Sequence, residues 1–517
     1  MKHTAKQFFK VLTLFSLIFI STFVVIAQPC SVSGNFQNQS QIDSFNLLNP
    51  GCTIIHGDLV LSGSDISNID SLYKITEIRG GLRVHNSGIK ELKGLSKVKN
   101  LRYISLRSND LLSNISSFDS LISIKDSFMI ADCPQLESIS VFPILSSVAR
   151  MVVRGRTDKL KRIVGFDSLR IMNNGFIMDN NFGVEEINGF HNVGPIDFSL
   201  SNNHHLKTVI GFNGYVQVCS DTTSILQDGV FLGIFRNDSL QTFDGLHNVE
   251  CFGRFHIWEN FHLKSVNVAR NTKKVSDFSV QYNFMLNDIQ GFNKVYAIHS
   301  NGFIDINNND SLNQIHIFKE LRKVHRLIIS ETQAKSFNES FINLDTIGDL
   351  RNLGMLVLLS NRKLTDISVF NDLKYTDEII ILDNRLLGEC SIESICNHIK
   401  AERYIEVWIT NYPGCRSVNQ ILAKCKVYLE EEHEDNVIIF PNPASEIINI
   451  KRPSILDHSP LIIVILDIAG REMLRKNVDL STYQDTYVVD ISNLAQGSYQ
   501  VVLLGDRFLQ PVPLIKI

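Results

Sequence analysis

The sequence predicts a mainly β protein: a right-handed parallel β solenoid followed by a small β-sandwich. Three observations carry that expectation. Asparagine recurs beside aliphatic residues at a near-constant interval, as in "VQYNFMLNDI" at 280–289 and "INNNDSLNQI" at 306–315. A short strand of the form apolar-x-apolar precedes each copy, such as Phe255-His256-Ile257 or Ile304-Asp305-Ile306. Past residue 436 the rhythm changes to alternating apolar residues broken by turn signals, in "VIIFPNPASEIINI", "VILDIAGREML" and "DISNLAQGSYQVVLL". A repeat of 20–29 residues with one strand per copy describes stacked coils that bury their apolar residues only against neighbours. Parallel crossovers of this kind are right-handed.

The chain begins with Lys2, Lys6 and Lys10, then a mostly apolar run, Val11–Ile26, with small residues at Val25 and Ala27. This reads as a signal peptide, 1–27, cleaved after Ala27, because the run falls short of the roughly 20 residues a membrane span needs. Ala27-Gln28-Pro29 before Cys30 is a poor lipobox, and no later stretch reads as a transmembrane span. The 517 residues carry a net charge of −4, which leaves no basic footprint for nucleic acid.

An N-terminal cap is expected over 28–56 and a solenoid of about fourteen coils over 57–389. Anchoring each copy on an apolar pair three apart gives starts at Ile66, Ile89, Leu112, Leu136, Leu160, Val184, Leu206, Leu240, Leu263, Leu286, Leu312 and Leu364. Most steps are 22–26 residues; one of 34 holds an insertion near 213–228, and one of 52 spans two copies. Three residues before the anchors stand Asn86, Asn109, Cys133, Asn181, Asn203, Asn237, Asn260, Asn283, Asn309 and Asn361, with Asn384 before Leu387. An Asn amide offers two donors and an acceptor with two lone pairs, so it can satisfy the buried turns of its own coil and of a neighbour. These eleven residues are expected to form a structural ladder, Cys133 substituting as a small buriable side chain.

Nine cysteines without C-x-x-C pairs speak for disulfides in an oxidising compartment and against zinc. With Cys133 in the ladder, eight remain. The expected bridges are Cys30–Cys52, Cys219–Cys251 and two within a C-terminal cap at 390–428. Three connectivities are open in that cap, and Cys390–Cys415 with Cys396–Cys425 is the expectation. A charged linker, "LEEEHEDN" at 429–436, then precedes the last domain, 437–517.

The repeat resembles leucine-rich repeats with one departure: the next aliphatic residue follows the Asn by three positions rather than two. With Gly-Phe or Gly-Leu downstream and "GDLVLSGSDISNIDSL" at 57–72, it looks more like the receptor L domain, over roughly 30–425. That resemblance implies a ligand-binding solenoid. Residues 30–52 and 390–425 look like the caps of bacterial versions. In the tail, Pro441-Asn442-Pro443, Gly470 before Arg471, and Gly497 with Tyr499 resemble the sorting domain of the type IX secretion system. The expected fold there is a small immunoglobulin-like β-sandwich. The resemblance implies a Gram-negative bacterium, passage through the periplasm, secretion to the cell surface or beyond, and the type IX machinery as a partner.

Chemistry is sparse. A nucleophile elbow, H-E-x-x-H, a P-loop and a dinucleotide fingerprint are all missing from the sequence. The adjacent pair His204-His205 has no third ligand at zinc spacing, and "NNND" at 307–310 lacks the glycine and glutamate of a calcium loop. No cofactor, metal or catalytic residue is therefore expected. Asp-Ser-Leu, at 70, 119, 167, 238 and 310, resembles a glycosylation acceptor and also consists of ordinary turn residues. The function expected is a non-catalytic secreted or cell-surface binding or adhesion protein for a protein or glycan; the alternative is a secreted hydrolase. Residues four and two before each ladder Asn face outward. Among them Phe235, His256 and Trp258 put aromatic groups on adjacent coils, either to contact a ligand or to pack under the insertion. A second group, Val357 to Leu382, is wholly apolar.

Overall fold

The computed structural model describes residues 34–116, 118–139, 142–194, 197–214, 229–299, 301–348, 353–425, 438–451, 461–478, 486–504 and 511–517. The segment expected to be a signal peptide, Cys30, Cys219, most of the expected insertion and the stretch read as a charged linker lie outside the described residues. The chain divides into two units, Met1–Cys425 and Lys426–Ile517.

The first unit is a parallel β-solenoid of about 15 turns. Its main sheet runs from Gly34–Phe36 to Tyr404–Val407, every pairing parallel. Both flanking segments add a strand to that sheet: Gly34–Phe36 pairs with Leu59–Leu61, and Tyr404–Val407 with Glu378–Ile381. A second parallel sheet of seven strands, Arg162–Val164 to Gln314–His316, lines another side of the coils. Several strands alternate between inward and outward residues. In Asp197–Ser201, Phe198 and Leu200 are fully buried while Asp197, Ser199 and Ser201 are half-buried on the outside.

Gly-Phe pairs build the interior. Phe166, Phe190 and Phe212 stack on successive coils at centroid separations of 4.7 Å, nearly parallel. Phe255 and Phe278 stack at 5.1 Å. Each buried ring contributes about 1.5–3 kcal/mol of burial, and none can be buried by its own coil alone. The corner before each ring is tight. Phe190, Phe212, Phe292, Phe318 and Phe341 all hold φ between 54° and 59°, a region that L residues enter at a cost of about 1–2 kcal/mol. Stacking offsets that cost.

The ladder runs along another corner. In its regular stretch each Asn serves the coil before it. The Oδ1 of Asn260 accepts the Asn237 N–H (3.0 Å), that of Asn283 the Asn260 N–H (3.1 Å), and that of Asn309 the Asn283 N–H (3.1 Å). Their Nδ2 groups donate back to the strand carbonyls of Ile234, Ile257 and Val280 at 2.8–3.0 Å. The insertion leaves this register untouched: Asn203 Nδ2 reaches Asn237 Oδ1 at 2.9 Å across it, and Asp197–Ser201 pairs directly with Phe231–Phe235. Cys133 sits fully buried at the ladder position, its thiol facing the Leu106 and Ala131 carbonyls and pushed up to about 11 by burial.

Asn86 requires a correction. It is exposed, with φ 50°, at the left-handed residue before the ladder. Ser87 occupies the rung: its N–H and Oγ both donate to Asn109 Oδ1, at 3.2 and 2.8 Å. This turn is one residue shorter than the next, so counting three back from Ile89 overshoots. Thr157, Thr332 and Asn411 are further buried rungs; Thr157 Oγ1 accepts from Asn181 Nδ2, Thr332 donates to Asn361 Oδ1, and Asn411 Oδ1 accepts the Asn384 N–H.

At the C-terminal end, helices Glu393–Lys400 and Val418–Lys424 are bridged by Cys396–Cys425, and Cys390–Cys415 closes the preceding loop. Cys52 and Cys251 are disulfide-bonded; the partners expected for them, Cys30 and Cys219, lie outside the described residues. The second unit holds an antiparallel three-stranded sheet and an antiparallel four-stranded sheet. They share one core of Ile448, Ile450, Val489, Ile463, Val501 and Leu503, as a small β-sandwich requires.

Candidate binding face and sorting domain

Strands Val230–Phe235, Cys251–Trp258, Lys274–Gln281 and Phe303–Asn307 pair in register on the main sheet. Two outward rows result: Gly233, His256, Ser279, Asp305 and, one step on, Phe235, Trp258, Gln281, Asn307. Side chains on a row lie about 4.8 Å apart, close enough to touch.

The structure brings the three aromatic residues together. Trp258 lies parallel to the His256 ring at 4.8 Å and meets Phe235 edge-on at 5.4 Å. All three are half-buried. Gly233 makes room, because a Cβ there would come within 2.5 Å of the Phe235 ring. Trp258 Nε1 donates to Ser279 Oγ at 2.8 Å, and Gln281 Nε2 donates to the same oxygen at 2.9 Å and to Asp305 Oδ2 at 2.7 Å. A chain of hydrogen bonds thus ties the indole to a carboxylate two coils away.

Both ends of that face are electrostatically unusual. Burial pushes Asp305 up to about 6, only partly countered by Arg326. Burial, helped by the Arg254 charge, brings His256 down to about 4, so the imidazole is neutral near pH 7. Among the described residues, His256 Nε2 and Asp305 Oδ1 are buried without a hydrogen-bond partner. An unsatisfied buried group costs about 1–3 kcal/mol, so each is a point where an incoming polar group gains more than at an ordinary surface. Sequence reasoning placed Ser279, Gln281 and Asp305 on the outer face but did not join them to the aromatic residues. Their outward parity was the available signal; the register that makes them neighbours was not.

The other expected positions scatter. His204 stacks on Phe182 at 5.9 Å and its Nδ1 lies 2.9 Å from Asp238 Oδ2, whereas His205 is exposed. The apolar group is half-covered at most positions, with Val357 buried and Ile380, Leu359 and Leu382 intermediate. Among the described residues no helix is long and apolar enough to cross a membrane.

In the second unit the motif residues hold strand ends together. Asn442 Nδ2 donates to the Pro513 carbonyl at 2.7 Å and its Oδ1 accepts the Ile515 N–H at 2.9 Å, fixing Pro441-Asn442-Pro443 to the last strand. Gly470, with φ 77°, closes the turn between Leu461–Asp467 and Glu472–Val478, where Arg471 Nε meets Asp467 Oδ2 at 2.8 Å. Gly497 opens strand Gly497–Leu504, and Tyr499 Oη donates to the Ala495 carbonyl at 2.8 Å.

The first unit is thus a parallel solenoid with an outward aromatic and polar face, and the second a small β-sandwich. Family models agree. Residues 51–113 match the receptor L domain, and residues 438–507 match the secretion system C-terminal sorting domain of type IX secretion. No curated protein matches the chain. The sorting domain implies a secreted or cell-surface protein that engages the secretion machinery, and the receptor L domain implies a binding role. Neither matched domain is itself enzymatic.

Proposed function

We propose that this chain is a non-catalytic binding or adhesion protein of a Gram-negative bacterium, exported through the periplasm by the type IX machinery. Its ligand, a protein or a glycan, docks on the outer face of the main sheet at Phe235, His256 and Trp258. One observation carries the reading: an aromatic cluster flanked by two buried, unpartnered polar atoms, His256 Nε2 and Asp305 Oδ1. Aromatic side chains supply much of the energy at interfaces and stack on sugar rings, while the two polar atoms offer directional contacts. Type IX secretion acts on residues 437–517 and leaves the solenoid to the ligand.

The test is a glycan array and a pull-down with the purified protein, repeated with Trp258→Ala and Phe235→Ala. Folded variants that lose at least tenfold in affinity support the site. Normal binding by both removes this patch. Turnover in a hydrolase screen, abolished by substitutions on the solenoid, would replace the binding reading with the enzymatic one.

A further inference from the structure

The charge of the chain is not evenly spread. Residues 73–130 contain ten Lys or Arg against five Asp or Glu, a surplus of five positive charges in a protein whose net charge is −4. Three of those five acids are already spent: Glu77 pairs with Arg79, Glu91 with Lys93 and Asp126 with Arg102. Among the described residues, Arg83, Lys97, Lys99, Arg107 and Lys125 form no salt bridge.

These cations line two adjoining concavities. One, of about 600 Å³, lies on the outer face of the main sheet and includes Arg83, His85, Tyr103, Ser105, Arg107 and Ser127. The other, of about 960 Å³, includes Lys97, Lys99 and Lys125. They meet where Arg102 is followed by Tyr103 and Asp126 by Ser127. No carboxylate lines the first. Arg83 aligns with Ser105 and His85 with Arg107 on neighbouring strands, so the two guanidinium groups stand on adjacent coils. The Arg107 guanidinium rests on the Met129 sulfur, at 2.8 and 3.1 Å, a weak acceptor that leaves its charge uncompensated. Arg83 is steered by Tyr103 Oη at 3.0 Å, which in turn donates to Asp58 Oδ2 at 2.6 Å. His85 Nδ1 is buried with no partner among the described residues.

We infer that this surface binds an acidic polysaccharide, its sulfate or carboxylate groups held by Arg83 and Arg107 and its flanking units by Lys97, Lys99 and Lys125. Guanidinium groups match both oxyanions with paired N–H donors. Two guanidinium groups one coil and two residues apart, on a diagonal across the sheet, suit a polymer carrying a charge on repeating units. The hydroxyls of Ser105, Ser127 and Tyr103 suit sugar hydroxyls. Nucleic acid is disfavoured because Tyr103, the one Phe, Tyr or Trp lining the first concavity, has Arg83 over its ring at 5.5 Å and packs that ring against Gly81. The site is separate from the Trp258 face and does not depend on it.

The experiment measures binding of the purified protein to dextran sulfate, polygalacturonate, neutral dextran, poly-glutamate and duplex DNA at two salt concentrations. The two acidic polysaccharides separate sulfate from carboxylate recognition. Expected is salt-sensitive binding to at least one of them, none to dextran, and at least tenfold weaker binding by Arg83→Gln/Arg107→Gln. A Lys97→Gln/Lys99→Gln/Lys125→Gln variant is expected to weaken binding as well. Lys264→Gln/Lys363→Gln, elsewhere on the solenoid, removes the same charge as the arginine pair and is expected to bind as the parent does. All variants alter exposed side chains, and melting temperatures confirm folding. Equal affinity of the arginine variant and the lysine control overturns the inference. So does binding of poly-glutamate or DNA as tight as that of either polysaccharide, or binding to neither polysaccharide.

Discussion

Asn283 is the rung whose removal tests the ladder most sharply. Its Oδ1 accepts the Asn260 N–H at 3.1 Å and the Asn260 Nδ2 at 3.2 Å, and its Nδ2 donates to the Ile257 and Gln281 carbonyls at 2.9 Å each. The side chain is fully buried. Asn283→Ala takes the acceptor from one buried N–H and the donor from two carbonyls. The Asn260 Nδ2 keeps Ile234 and Trp258 as partners, and carbonyls tolerate the loss better than the N–H does. An orphaned buried group costs about 1–3 kcal/mol, so the variant is expected to destabilise its coil by about 2–4 kcal/mol. Solenoids need not unfold in one step; the assay is therefore amide hydrogen exchange over residues 257–309 together with the denaturant midpoint. Asn313→Ala, on an exposed side chain, is the control and should stay within about 0.5 kcal/mol. Asn283→Asp should be worse than Ala at pH 7, since it faces two carbonyls without a donor and buries a charge. Its defect should ease as the pH falls and the carboxyl protonates. Exchange and midpoint in Asn283→Ala equal to those of the control would refute the ladder as a source of stability.

Three further outcomes are expected. Asp305, raised to about 6 in the folded chain from an ordinary value of 3.8, binds its proton more tightly when folded. Its contribution to stability is therefore present at acid pH and is lost as the pH rises from about 3.8 through about 6; Asp305→Asn should raise the melting temperature more at pH 8 than at pH 5. Cys133 should resist alkylation in the native protein at pH 8, since its thiol is buried and raised to about 11, and react once denaturant is added. Replacing Cys396 and Cys425 together by Ala opens a loop with a sequence separation of 29, which should cost about 3–4 kcal/mol; circular dichroism and exchange should show the loss first in the two cap helices.

The solenoid was legible in the sequence because its determinants are periodic. The Gly-Phe corners, the Asn rungs and the alternating strands repeat within a residue or two, and one sheet arrangement satisfies them all. Rungs escaped where the period slipped or the chemistry changed. Ser87 stands one residue off the count, and Thr157 and Thr332 use hydroxyls in place of amides. The aromatic trio was legible as outward residues of adjacent strands. The Trp258–Ser279–Gln281–Asp305 chain was not, because hydrogen bonds between coils depend on side-chain rotamers that spacing does not encode. The cationic surface escaped for a related reason: its charges are ordinary one by one and cluster only when coils from 79 to 127 are stacked.

The polarity of the ladder sets what lengths this stack can take. In its regular middle every coil hands the same groups to the coil before it and receives the same groups from the coil after it. Removing or duplicating one such coil joins two identical half-connections and orphans no backbone or amide group of the ladder. The ends have no such freedom. The final amide in the series, Asn411, belongs to the disulfide-closed segment, where it serves Asn384 and Ile381 on one side and the Cys415 carbonyl on the other. A chain of this design can change its number of coils by unequal recombination in the middle, at little thermodynamic risk, as long as the terminator survives. Reach along the solenoid is thus a heritable variable largely uncoupled from fold stability.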